Sequence, residues 1–116
     1  MSNAVVMTGY GPPEVLKWAA VPLPEPGPGQ IRIKVQAAGI SPTDLALRAG
    51  YLMAFPLPPD AVLGFEAAGT VDAMGPGVAG TAVGDAVTAL LFSLGGYAKY
   101  ALASIWARKP DKRFVD

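Results

Sequence analysis

The sequence predicts a mostly β fold: a partly open barrel carrying one short helix. Three observations predict it. Fourteen glycines and twelve prolines make up more than a fifth of the 116 residues, yet 52% of the chain is hydrophobic. That is the composition of many turns joining short buried strands, not of a disordered segment. Apolar and polar residues alternate in short runs bounded by glycine and proline clusters. No helical stretch is long enough to cover a parallel sheet, and there is no internal repeat.

The elements follow in order. AVVMT at 4–8 reads as the first strand, ended by GYGPP. VLKWAAV at 15–21 is the second, with Lys17 and Trp18 breaking strict alternation. PLPEPGPGQ at 22–30 is a linking turn, because its prolines lack the donor a helix or ladder needs and its glycines break propagation. IRIKVQAAG at 31–39 gives the cleanest period of two: Ile31, Ile33 and Val35 face one way, Arg32, Lys34 and Gln36 the other. SPTDLALRAG at 41–50 is the helix. Ser41 is its N-cap, Pro42 stands at N1, Asp44 at N3 completes a capping box, and Gly50 stops it. YLMAFPLPPDAVLG at 51–64 is an apolar, proline-punctuated loop. FEAAGTVDAM at 65–74 resumes strand character with small residues that permit close backbone approach. AVTALLF at 86–92 would suit a short helix or a strand, and its length and bounding turns favour the strand. YAKYALA at 97–103 and IWARKP at 105–110 close the chain as further β structure.

Charge and residue usage exclude several chemistries. Nine Lys and Arg balance nine Asp and Glu, so no net charge draws nucleic acid or an anionic membrane. Arg108, Lys109, Lys112 and Arg113 crowd the end of the chain as a solvated terminus. There is neither cysteine nor histidine. This removes thiol nucleophiles and histidine general bases, and leaves only oxygen ligands for a metal, so no zinc site is expected. No disulfide scaffold or N-terminal signal-type run is present, and the apolar stretch 86–94 is too short to span a bilayer. A soluble cytoplasmic protein with no membrane partner is expected.

MGPGVAGTAVGD at 74–85 holds Gly75, Gly77 and Gly80 in the spacing G-x-G-x-x-G. In a dinucleotide-binding unit such a turn opens a helix whose free N–H groups meet the pyrophosphate. Here Gly84 would break that helix in its first turns. No Asp or Glu lies between Asp85 and Asp111, so the expected ribose-binding acid is missing. The glycines are read as a tight turn with residues at positive φ, and no cofactor-binding residue is assigned within the chain.

GFEAAGTVDAMGPGVAGTAVGDAV at 64–87 resembles the signature of medium-chain dehydrogenases/reductases. VQAAGISPTDLALRAG at 35–50 and GGYAKYALASIWARKPD at 95–111 are similar to its flanking segments, and AVVMTGYGPPEVLKW at 4–18 looks most like quinone oxidoreductases. The resemblance implies that residues 1–116 form the GroES-like catalytic domain of that superfamily. Zinc members carry Cys where Ser41 stands, His where Phe65 stands and a proton-relay His where Ala46 stands. Their absence resembles the zinc-independent branch of quinone oxidoreductases and enoyl reductases. That branch reduces double bonds next to a carbonyl with NADPH, and often has Asn at the position of Ser41. The family's Rossmann half and the return of the chain to the catalytic domain are not found in these residues. The chain alone is therefore expected to be inactive, whether it is an excised piece or a natural short product.

The resemblance brings six residues to the active-site edge. Ser41 and Tyr51 are the catalytic candidates. Ser41 would hydrogen-bond a substrate carbonyl or nicotinamide ribose and steady a developing enolate, besides capping the helix. Tyr51 would donate a proton or hydrogen bond to a reduced enone, or simply cover the barrel mouth. Thr43, Asp44, Phe65 and Glu66 are assigned to the substrate pocket. For Asp44 the alternative is capping, and for Phe65 packing. Glu66 would support the site rather than react, and buried apolar surroundings would demand an Arg or Lys partner for it. The expected partner is a small quinone or enone, with homo-oligomerisation possible through unpaired strand edges. The rival reading is a non-enzymatic GroES-like binding or scaffold module, supported by the apolar loop and opposed by the GFEAAG motif.

Overall fold

The computed structural model describes residues 1–52, 54, 56–91 and 93–104. β1 (Ser2–Met7) and β2 (Leu16–Val21) form an antiparallel hairpin. A single 3-10 turn, Pro13–Val15, precedes β2. Sequence reading assigned Val15 to the strand, but Pro13 pre-sets φ for a helical turn and Val15 N–H bonds the Pro12 carbonyl instead. Lys17 and Trp18, which break the alternation, are both exposed.

The main sheet contains β3 (Ile31–Ala38), β4 (Glu66–Met74), β5 (Ala86–Leu90) and β6 (Tyr100–Ala103) in the order β5-β4-β3-β6, all antiparallel. The hairpin is tied to it through an isolated bridge between Ala4 and Ala98, with Val5 N–H on the Tyr97 carbonyl and Lys99 N–H on the Asn3 carbonyl. This places β1 beside the residues leading into β6, so the two sheets curl towards one another without closing. The expected partial barrel is found. The expected strand at 105–110 lies outside the described residues.

Hydrophobic alternation decides which face is inside. Ile31 and Ile33 are buried with Val71, Val87, Leu91 and the alanines of β4, β5 and β6. Two register shifts in the β3–β4 pair, between Arg32 and Ile33 and between Val35 and Ala37, end the clean alternation of β3. α1 (Pro42–Ala49) crosses from β3 to the loop before β4 and buries Leu47 against Met7 and Leu63. Burying such a leucine stabilises the fold by about 2 kcal/mol.

The glycine-rich stretch between β4 and β5 is a turn. Gly77 and Gly80 take φ of 81° and 83°, and no helix follows. Asp85 holds it closed, accepting the Ala82 N–H at 2.9 Å and the Thr81 hydroxyl at 3.2 Å. Gly75 donates to the Gln30 carbonyl at 2.8 Å, and Gly29 to the Pro76 carbonyl at 2.8 Å. The turn therefore packs on the proline-rich linker. No described helix is long and apolar enough to cross a membrane.

Candidate active site

The N-terminus of α1 carries the best-defined polar cluster. Ser41 adopts extended backbone as N-cap, and the capping box is complete. Ser41 Oγ accepts the Asp44 N–H at 3.3 Å, while Asp44 Oδ2 accepts the Ser41 N–H at 3.0 Å and the Ser41 hydroxyl at 3.1 Å. Gly50, at φ 89°, ends the helix in the left-handed conformation and returns its N–H to the Ala46 and Leu47 carbonyls. The helix is thus fixed at both ends by residues whose roles are legible in the sequence.

Asp44 does more than cap. It is 2% exposed, and its Oδ1 accepts the Gly64 N–H at 3.0 Å across 20 residues of chain. This bond ties α1 to the entry of β4. Gly64 has φ 109°, and a Cβ there would strike the backbone of Gly96 and Tyr97. The close approach lets Tyr97 N–H bond the Leu63 carbonyl at 3.0 Å and brings the Tyr97 side chain to Asp44. The Tyr97 hydroxyl is buried and lies against the Asp44 carboxylate. Burial, and then the adjacent Asp44 carboxylate, push this phenol well above its ordinary ionisation range.

The six predicted residues are only partly assembled. Ser41 and Asp44 are joined directly, and Phe65 follows the Gly64 amide that Asp44 holds. Phe65 is half-buried and packs against the cluster of Met7, Leu47 and Leu63. Thr43 is exposed on the first turn of α1. Tyr51 is 83% exposed and makes no hydrogen bond to the other five among the described residues. Glu66 is exposed, with no ion pair among the described residues, so the buried surroundings that would demand a cationic partner are not met. The reason is its place at the first residue of β4, where the outward face of the pleat meets solvent. Its side chain lies over Gly39 and lines a cleft of about 550 Å³ with Ala38, Ala68, Thr88 and Leu90. A second cleft, of about 440 Å³, lies between the hairpin and β6 and contains none of the six.

Sequence reasoning missed Tyr97 and Gly64. Glycine at 64 and at 95–96 was the available signal, since two glycine positions facing each other allow the backbones to touch. No group of three or more His, Cys, Asp or Glu among the described residues is placed to hold a metal ion.

Comparison with known proteins places this geometry. The chain is 39% identical over 105 residues to a 2-haloacrylate reductase from a Burkholderia species, covering 88% of this chain and 31% of the relative. It is 39% identical over 107 residues to the quinone oxidoreductase of Lama guanicoe, covering 90% and 32% respectively. A solved mycobacterial protein in complex with NADPH superposes with a TM-score of 0.84 at 34% identity, over 97% of this chain and 33% of that one. The chain thus spans about a third of the length of these relatives. Residues 27–108 match the alcohol dehydrogenase GroES-like domain, a match that takes in β3, α1, the Asp44–Gly64 tie and β4 to β6. The chain belongs to the alcohol dehydrogenase GroES-like domain family.

Proposed function

We propose that the chain is the substrate-side domain of an NADPH-dependent, zinc-independent reductase of carbon–carbon double bonds made electron-poor by a neighbouring carbonyl. The observation that carries this reading is the pair of relatives at equal identity. A quinone and a 2-haloacrylate share little except a double bond conjugated to a carbonyl or carboxylate. Oxygen donors alone at the head of α1 support it, since Ser41 and Phe65 stand where zinc members carry metal ligands. The NADPH complex of a structural relative supports the choice of cofactor.

The residues present fit the nicotinamide end of such a cofactor and not its phosphates. Ser41, Thr43 and Tyr51 offer hydroxyls, Phe65 offers a packed aromatic edge, and the glycine-rich turn offers no helix N-terminus. Bound NADPH would supply the hydride. This chain's own work is to orient the acceptor, to exclude water with Phe65 and the 51–64 loop, and to hydrogen-bond the oxygen on which charge develops. Glu66 lines a neighbouring cleft, and the buried Asp44 holds Ser41 and Gly64 in place. A double bond activated by its carbonyl needs no metal when a hydroxyl donor meets that oxygen.

The test is NADPH oxidation with a simple quinone and with 2-chloroacrylate, by the longest product of the gene and by the 116-residue chain alone. The longer product is expected to turn over both acceptors, to keep its rate after dialysis against a chelator, and to lose about tenfold in kcat/KM on Tyr51→Phe. The 116-residue chain is expected to be silent. Chelator-sensitive turnover, or none with either acceptor, overturns the reading.

A further inference from the structure

The cleft of about 440 Å³ between the hairpin and β6 has the shape of a missing strand. Every residue of 100–104 lines it. Successive side chains of a strand point to opposite faces, so a cavity touching all of them runs along the edge of β6 and not over either face. Among the described residues β6 pairs with β3 on one edge only, and its ladder groups on the other edge are open to a further strand. Val62, Leu90 and Leu94 supply apolar walls. Asp60 is the charged residue among the described lining, and it makes no ion pair there. The matching occupant is an extended apolar strand that carries one cation.

Among the described residues β2, β5 and β6 pair on one edge only, so each has a free edge to offer. β5 and β6 carry no charged residue. β2 carries Lys17, exposed and without an ion pair among the described residues, beside Trp18, which is 61% exposed. Val21, the last residue of β2, and Pro22 also line the groove, so donor strand and groove form one continuous patch. Such a patch meets its own copy about a two-fold axis. A net charge of zero sets up no long-range repulsion between copies. We infer that two copies of this chain pair in this way, with β2 of each seated along β6 of the other. Trp18 is then covered, and Lys17 meets the partner's Asp60. The contact uses none of the six residues of the candidate site and stands apart from the reductase reading.

Sedimentation equilibrium of the 116-residue chain, from about 1 μM to about 1 mM, tests this. The chain is expected to pass from monomer to dimer and to stop there. Trp18→Lys should raise the dissociation constant at least about thirtyfold, since it removes the aromatic anchor. Lys17→Met and Asp60→Asn should each raise it about threefold, and the double variant no further than either alone. Asparagine tolerates the φ of 57° held at position 60, and Lys17 and Trp18 are exposed, so these variants keep the fold. A monomer throughout the series, or growth beyond the dimer, overturns the inference. So does a dimer indifferent to Trp18→Lys, or one in which the effects of Lys17→Met and Asp60→Asn simply add.

Discussion

Two polar assemblies hold this domain, and they solve the same problem differently. At the head of α1 a buried carboxylate, Asp44, is satisfied by neutral donors: the Ser41 N–H, the Ser41 hydroxyl and the Gly64 N–H. On the sheet, a carboxylate is satisfied by a cation. Arg32 Nε meets Asp72 Oδ1 at 2.8 Å and its second nitrogen meets Oδ2 at 3.2 Å, while a third donates to the Pro24 carbonyl at 3.0 Å. Glu25 stands 3.7 Å away and the guanidinium lies 5.7 Å from the centre of the Tyr100 ring. Hydrogen bonding to Asp72 raises the Arg32 ionisation further, so this clamp stays charged.

The difference separates fastening from orientation. Arg32 pins the proline-rich linker onto β3, β4 and β6, with each of its three nitrogens donating to a protein oxygen. Among the described residues Asp44 pairs with no cation, and its partners are a hydroxyl and two amides whose positions shape the edge of the candidate site. A neutral donor set fixes geometry without quenching the field, and the N-terminus of α1 adds its own positive end to it.

Substitutions should expose that contrast. Asp44→Ala is expected to cost the most, about 3 kcal/mol in chemical denaturation, because it removes the cap and leaves the Gly64 N–H buried without a partner. Raising the salt concentration should leave that loss unchanged. Arg32→Met should cost less, about 2 kcal/mol, because Asp72 is 29% exposed and water takes up part of the lost pairing. Its cost should shrink in high salt. An Asp44→Ala loss that shrinks equally would mean that the two assemblies are electrostatically alike.

Tyr97→Phe gives the smallest effect, under about 1 kcal/mol at neutral pH, since the Asp44 carboxylate keeps its donors from Ser41 and Gly64 when the phenol hydroxyl is removed. Its signature is alkaline. The folded phenol ionises above its unfolded value of about 10, so its contribution is fully present below that pH and is lost as pH rises beyond it. Thermal melts should therefore show the wild type falling faster than Tyr97→Phe above about pH 10. Parallel falls would place the Tyr97 hydroxyl in water.

How much of this was legible in the sequence varies by element. The helix was readable in full, because N-cap, N1 proline, N3 acid and C-terminal glycine act on their own few neighbours. The described strands were readable to within one to three residues, the largest miss being the start of β6, and the glycine-rich stretch was readable as a turn with residues at positive φ. Whether Glu66 is buried was not legible, because whether a strand's first residue points inwards depends on the sheet that receives it. Tyr97 was missed because its importance lies in a partner 53 positions away, which no local pattern announces.

The sequence by itself determined the fold class, the capping box and the absence of thiol and imidazole chemistry, since each follows from residue type or near-neighbour spacing. Only the tertiary structure decided that Asp44 reaches past its own helix. Gly64 and Gly96 bring two distant backbones together, and that contact carries the entry of β4 and the Tyr97 phenol to a carboxylate that the sequence marks only as a cap.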